Sequence, residues 1–402
     1  MSKQIKIGKW TISRDFLIFL VISGLLGIVS AVESTSMANR LYEDLHFTIM
    51  QRSLLETPRE LPGLLTVVII GLLNGLGDIK IAAVANIIGG IGLLFYGFVP
   101  AEFSLVLTTL VIYSTGMHLY MPLASSISMS FAKEDQCGKR LGEIQGLGNL
   151  SVILTSAILY FLYLSIKLSY AIVFAIGGIA MLAAGILFLL MSESHQIKSE
   201  KRFVFKKAYK LYYLLSIVNG ARKQITMTFL PWLIIATFGQ PVTTITFLFL
   251  LVCIINVVFK PFIGGFIDKK GEKLTLQLEA ILMAVVCLGL AFAKSIFPFS
   301  IALGIVGGCY VLDNLLLSAS MARATYVRRI ATQPSDISRT LSMGLSLDHI
   351  VAMFIPLLAG YVWYTNGAIG YMYVFLGGLI LSALNFILAS KINLPVRNRQ
   401  AD

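Results

Sequence analysis

Apolar runs about twenty residues long, separated by short polar turns, recur along this 402-residue chain from Phe16 onward. A helix of about that length crosses the hydrocarbon core of a bilayer. Only 13% of the residues are charged and 57% are hydrophobic, against roughly 25% charged in ordinary soluble domains. A soluble fold could not hide so much apolar surface, so lipid must cover it. In lipid every backbone N–H and C=O must be satisfied within its own segment, which leaves helices as the spanning elements. The expected fold is therefore all-α and polytopic. Hydropathy and turn residues divide the chain into twelve spans, among them 51–74, 210–237, 297–325 and 340–363.

The net charge of +12 invites a nucleic-acid reading, but its distribution argues for a topology signal. Lysines and arginines gather at the amino terminus, in alternate loops, in the basic segment between Met191 and Lys210, at Arg323–Arg339 and in the carboxyl tail. The opposite side keeps only Arg40, Arg52, Arg59, Lys167 and Lys294. The expectation is a multi-pass protein of the cytoplasmic membrane with both termini cytosolic. The hydrophilic segment 192–209 divides the spans into an amino-terminal six-helix bundle, 1–191, and a carboxyl-terminal one, 210–402. His118–Phe131 aligns without gaps on Asp313–Tyr326, a weak internal duplication that relates spans 4 and 10. The basic first segment runs into an apolar stretch without a small-residue cleavage site and reads as a first span. Cys137, Cys253, Cys287 and Cys309 form no CxxC pair, so neither a disulfide frame nor a metal cluster is expected.

Between two apolar runs lies Gly264-Gly265-Phe266-Ile267-Asp268-Lys269-Lys270-Gly271-Glu272-Lys273. Asp268 is expected to end a helix there, and Gly271 to permit the reversal. This stretch resembles the signature turn of the major facilitator superfamily: a glycine, an aspartate four residues on, a basic residue, a glycine and further charge. In that family the turn joins helices 2 and 3 and recurs between helices 8 and 9. Its aspartate is associated with charge contacts between the bundles when the cytosolic side is closed. The resemblance implies two pseudo-symmetric six-helix bundles. It also implies that Gly264, Asp268, Lys269, Gly271 and Lys273, with Asp78 in the first half, belong to a cytosolic gate rather than to a substrate site. The first-half copy, Gly71 to Lys80, is degenerate: Gly75 stands where the family has aspartate, and the acid is displaced to Asp78. Patterns typical of drug antiporters are missing, since span 4 holds no embedded arginine and span 5 no Gly-Pro motif.

Charges within the spans are the candidate functional residues, because each costs at least about 2.5 kcal/mol near the bilayer centre unless paired or wet. Span 2 must reach back through Glu60, Arg59 and Glu56 to attain membrane length. That places Glu56 and Glu60 on one helix face, with Arg59 within pairing reach of Glu56. Glu33 lies near the outer end of span 1, and His118 is at mid-depth in span 4. Arg222 and Lys223 are adjacent in span 7, about 100° apart around the helix, so only one can face a given cavity. Either a bound anion or a structural ion pair with an acid on another helix would account for them. Asp313 in span 10 and Asp348 beside His349 in span 11 complete the set.

The sequence has no phosphate loop and no soluble domain for a catalytic site, so no cofactor and no enzymatic role are expected. Its four histidines fall on separate segments, with no metal site in prospect. The expected function is secondary active transport of a small molecule by alternating access, by a monomer, coupled to protons and by default exporting. Buried carboxylates paired with Arg or Lys can exchange an ion pair for a proton. A non-transporting receptor or scaffold on the same body is the alternative.

Overall fold

A computed structural model describes residues 4–7, 10–73, 76–131, 137–192 and 205–394. Asn74 and Gly75 of the first-half turn, and 193–204 of the central loop, lie outside the described residues. Contacts divide the chain into two compact units, Met1–Glu200 with Trp232–Ile254, and Lys201–Pro231 with Ile255–Asp402.

The first unit opens on a short hairpin that the hydropathy pattern does not reveal. Strand β1 (Gln4–Ile7) pairs antiparallel with β2 (Trp10–Ser13), Ile5 opposite Ile12. Four-residue strands carry too little alternation to stand out ahead of a long apolar run. Helix α1 (Arg14–Asn39) follows, its amino end capped by the Ser13 hydroxyl, which accepts the Phe16 N–H at 3.2 Å. The helical path continues through one π-type turn, Arg40–Asp44. Then come α2 (Ile49–Leu72), α3 (Asp78–Tyr96), α4 (Phe103–Ser130), α5 (Cys137–Ile166) and α6 (Tyr170–Leu189). Helix α3 packs against both α4 and α6. Gly116 on α4 makes the first of these contacts possible, since a Cβ there would overlap the Ala85 carbonyl oxygen and the Gly89 backbone of α3.

Arg40, expected on an outer turn, is instead buried within that π-type turn. Its guanidinium donates to the carbonyls of Gly97 at 2.5 Å and Val99 at 3.2 Å and lies 4.8 Å from the centre of the Tyr96 ring. It satisfies carbonyls of the turn that follows α3, which no helix ladder engages.

The second unit holds α7 (Lys210–Trp232) up to Pro231, the later part of α8 (Val242–Lys270), α9 (Glu272–Ile296), α10 (Phe299–Leu316), α11 (Ser320–Ile330), α12 (Pro334–Thr365) and α13 (Gly370–Ser390). One 3-10 turn, Leu317–Ala319, joins α10 to α11, so the two make one long segment and the described helices amount to twelve such segments. Helix α12 begins before the expected boundary at 340. Ahead of α7, Lys206 reaches Asp336 at 2.7 Å, and the Tyr209 hydroxyl donates to the same carboxylate at 2.7 Å. These bonds, led by that from Lys206, hold the Asp336 carboxyl below its ordinary value, at about 2.

Among the described residues, ten helical segments are long and apolar enough to cross a membrane. The apolar windows of α5 and α8 are only 17% and 22% buried, which leaves most of their surface for lipid. Helices α2 and α7 fall outside the ten because of the polar and charged residues they carry, and those residues form the clusters described next.

Candidate functional site

In the first unit the charges of α2 converge with those of α1 and α4. Glu56 is fully buried and lies between two guanidiniums, Arg52 one turn before it and Arg59 at 2.8 Å. The latter pair is the i, i+3 contact expected from the sequence. Arg59 also stands 3.5 Å from Glu60 and 3.8 Å from Glu33 of α1. Tyr113 of α4 donates to Glu33 at 2.6 Å, and Ser114 of the same helix donates to the Arg59 carbonyl. Proline at 58 and 62 breaks the regular hydrogen-bonding of α2 around this carbonyl. His118 lies 3.8 Å from Glu60 through Nε2, while its Nδ1 meets the Ser114 hydroxyl at 2.9 Å. Glu33, Glu56, Arg59, Glu60 and His118, spread over three spans in sequence, therefore form one cluster. It holds three carboxylates, two guanidiniums and one imidazole. The three carboxylates thus share the two guanidiniums, so a change at any one of them alters how the remaining pairs are held.

The second unit separates Arg222 from Lys223 as their 100° offset requires. Arg222 turns inward, 3.1 Å from Asp313 of α10, 3.1 Å from the Asn219 side-chain oxygen and 4.0 Å from Glu279 of α9. Arg323 of α11 closes the row, 2.7 Å from the other Glu279 oxygen. Lys223 turns the other way and pairs with Asp348 of α12. Asp348 lies close against α7 because residue 220 is glycine: a Cβ there would overlap Asp348 Oδ1 and stand 3.0 Å from Val351. Lys223 and Asp348, each partly exposed, face a cavity of about 360 Å³ whose wall also includes Tyr212, Ser216, Asn219, Ser320 and Arg323. That volume is within the range of small-molecule sites, about 300–1,000 Å³. His349, adjacent to Asp348, is buried, and Asp348 turns to Lys223.

Two members of this row escape a reading of the sequence. Glu279 sits in a stretch, LQLEAILMAV, whose acid reads as a boundary charge, and Arg323 reads as one of the turn cations beside Arg328 and Arg329. The structure places Arg323 in α11 and buries both side chains. An acid and a base on different spans can be matched only by packing, which the one-dimensional pattern does not contain.

At the helix ends the signature turn differs from expectation in one respect. Helix α8 continues through Lys270, so Asp268 does not terminate it; Asp268 and Lys269 lie exposed in its last turn. The reversal falls at Gly271, with φ +84°, a conformation that favours glycine. Gly77 has φ +78° at the corresponding point before α3. Asp78, the first residue of α3, thereby corresponds to Glu272, the first residue of α9, rather than to Asp268. Both acids are buried at helix amino termini, where the backbone dipole favours negative charge. Asp78 accepts from Ser126 of α4 at 3.1 Å, and Glu272 pairs with Arg329 of α11 at 2.7 Å. Lys273, two residues past the glycine, is exposed, and a Cβ at Gly264 would meet nothing within 4 Å.

Comparison with known proteins places this architecture. Over 132 residues the chain is 30% identical to the multidrug resistance protein MdtG of Salmonella choleraesuis, a match spanning 30% of this chain and 31% of that protein. The chain thus covers about a third of the length of the curated relatives it matches. Among solved structures, a mutant form of the nucleoside transporter NupG superposes with a TM-score of 0.75 at 16% identity, over 93% of this chain and 98% of that one. A D-xylose-proton symporter gives 0.67 at 17% identity, over 94% and 97%. At those identities the likeness is one of fold. The family model of the Major Facilitator Superfamily matches residues 16–318, and with its long apolar helices this multi-pass membrane protein belongs to that superfamily.

Proposed function

We propose that this protein is a secondary transporter that moves a small molecule across the cytoplasmic membrane by alternating access, with protons as the coupling ion. The observation that carries the proton reading is the first-unit cluster, in which Glu33, Glu56 and Glu60 share the guanidiniums of Arg52 and Arg59 beside His118. Carboxylates that share guanidiniums inside a span can exchange an ion pair for a proton as the site changes its exposure to water. The second-unit cavity supplies the other requirement, a space of small-molecule size with a charge pair on its wall. The MdtG relatives bear the name of multidrug resistance proteins, and the symporter neighbour carries protons in its name, which supports protons as the coupling ion. The concentration of Lys and Arg on one side places both termini in the cytosol in this reading. Gly264, Asp268, Lys269, Gly271 and Lys273, with Asp78, then serve as the cytosolic gate.

The test is gradient-driven flux in proteoliposomes, with solutes chosen by a thermal-shift screen at two pH values. Glu56→Gln, Glu60→Gln, Asp313→Asn and Asp348→Asn are measured singly. Loss of pH-driven flux in one or more is expected. Unchanged flux in all four would rule out coupling through these carboxylates.

A further inference from the structure

The wall of the second-unit cavity is biased toward donors. It presents two cations, Lys223 and Arg323, and the neutral donors Tyr212, Ser216 and Asn219, against one carboxylate, Asp348. The two cations are held differently. Arg323 is engaged from behind the wall by buried Glu279, at 2.7 Å. Lys223 is engaged by Asp348, and both members of that pair are partly exposed, at 24% and 17%. An anionic group entering the cavity therefore competes with Asp348 for the Lys223 ammonium. The opposite exchange, a cation displacing Lys223 from Asp348, would set the incoming charge beside both Lys223 and Arg323, and like charges at such range disfavour it.

Displacement leaves Asp348 facing the new anion. Among the described residues of this unit, the charged and titratable groups that line the cavity with Asp348 or adjoin it are Lys223 and Tyr212 from α7, Arg323 from α11 and His349 on α12. With Lys223 taken by the ligand and Arg323 by Glu279, a proton from water is the means by which Asp348 sheds its charge. We propose that this cavity binds a small organic anion through Lys223, assisted by Asn219, Ser216 and Tyr212, and that Asp348 takes up one proton as the anion displaces it. This rests on the transport reading and gives it a substrate class: anion and proton enter together, so the loaded cavity keeps the net charge of the empty one.

The experiment is a thermal-stability titration of the purified full-length protein in detergent at pH 6 and pH 8. The probes are the monoanions acetate, lactate, gluconate and benzoate, with glucose, uridine and choline for comparison. At least one anion is expected to raise the melting temperature, and the neutral and cationic probes are not. Its apparent affinity should weaken from pH 6 to pH 8 by up to about tenfold per pH unit, the linkage for one proton taken up. Lys223→Gln should abolish the shift. Asp348→Asn, which imitates the protonated acid, should keep the shift and remove its pH dependence. If Lys223→Gln does not fold, the Lys223→Gln/Asp348→Asn double variant leaves neither charge unpaired and should show the same loss. Stabilisation by none of the four anions, stabilisation by choline or the neutral probes alone, or an equal anion effect without Lys223 would overturn the proposal. Flux of the stabilising anion is measured separately: binding without flux overturns the transport reading and leaves the site standing, whereas flux of other solutes without anion binding does the reverse.

Discussion

Gly220→Ala tests whether the approach of α12 to α7 is set by one missing methyl group. The added Cβ would overlap Asp348 Oδ1 and meet Val351 Cγ2 at 3.0 Å. The aspartate can swing away, but only by leaving Lys223. Alanine in place of glycine inside a helix is favourable by about 1 kcal/mol. Loss of a hydrogen bond between charged groups costs about 1.5–3 kcal/mol, so the net destabilisation expected is about 0.5–2 kcal/mol. The sign of the change depends on Asp348. In an Asp348→Ala background the main obstacle is gone, Val351 needs to give only a few tenths of an ångström, and Gly220→Ala should become neutral or stabilising by up to about 1 kcal/mol. Reversible unfolding in mixed micelles of the wild type, both single variants and the double variant supplies the cycle. An equal cost of Gly220→Ala in both backgrounds would refute the reasoning, because the strain would then lie elsewhere than in Asp348.

Three further outcomes are expected. Arg222→Leu or Asp313→Leu alone should cost about 3–5 kcal/mol by leaving one buried charge without its partner, while the double variant should recover most of that loss; unfolding in mixed micelles measures all three. Asp336→Asn should lower thermal stability by the same amount at every pH from 5 to 8. The carboxyl's folded value of about 2 lies below the ordinary 3.8, so its contribution is complete above about pH 4 and fades only as pH falls toward 2. Gly271→Ala should lower the melting temperature, with a cost of about 1–3 kcal/mol for a side chain at φ +84° and ψ 167°, whereas Gly264→Ala, with open space around it, should not.

The extent to which sequence revealed this protein differs between its elements and its site. Lipid removes the ambiguity between strand and helix, so the long helices followed from hydropathy, and a residue such as Gly271 stands out by its place between charges. Glu56 and Arg59 were also legible, because their contact is local to one helix and follows from spacing alone. The row Arg222, Asp313, Glu279 and Arg323 was not, since it joins four helices and two of its members read as boundary charges. The direction of Lys223 needed the structure as well: the helix period dictates that it diverges from Arg222, and packing decides which of them meets the cavity. Asp78 was visible as an acid near the turn, but its correspondence with Glu272 appears only through the two positive-φ glycines.

The central claim is that protonation of the buried carboxylates shifts the protein between two access states. Pulsed electron paramagnetic resonance can measure this directly, with spin labels at Lys80→Cys and Lys273→Cys in a background without native cysteines, reconstituted in lipid nanodiscs at pH 5.5 and pH 8. Two distance populations are predicted, with a ratio that changes between the two pH values in the otherwise wild-type protein and stays fixed in Glu56→Gln. A single distance distribution, the same at both pH values, would contradict the account.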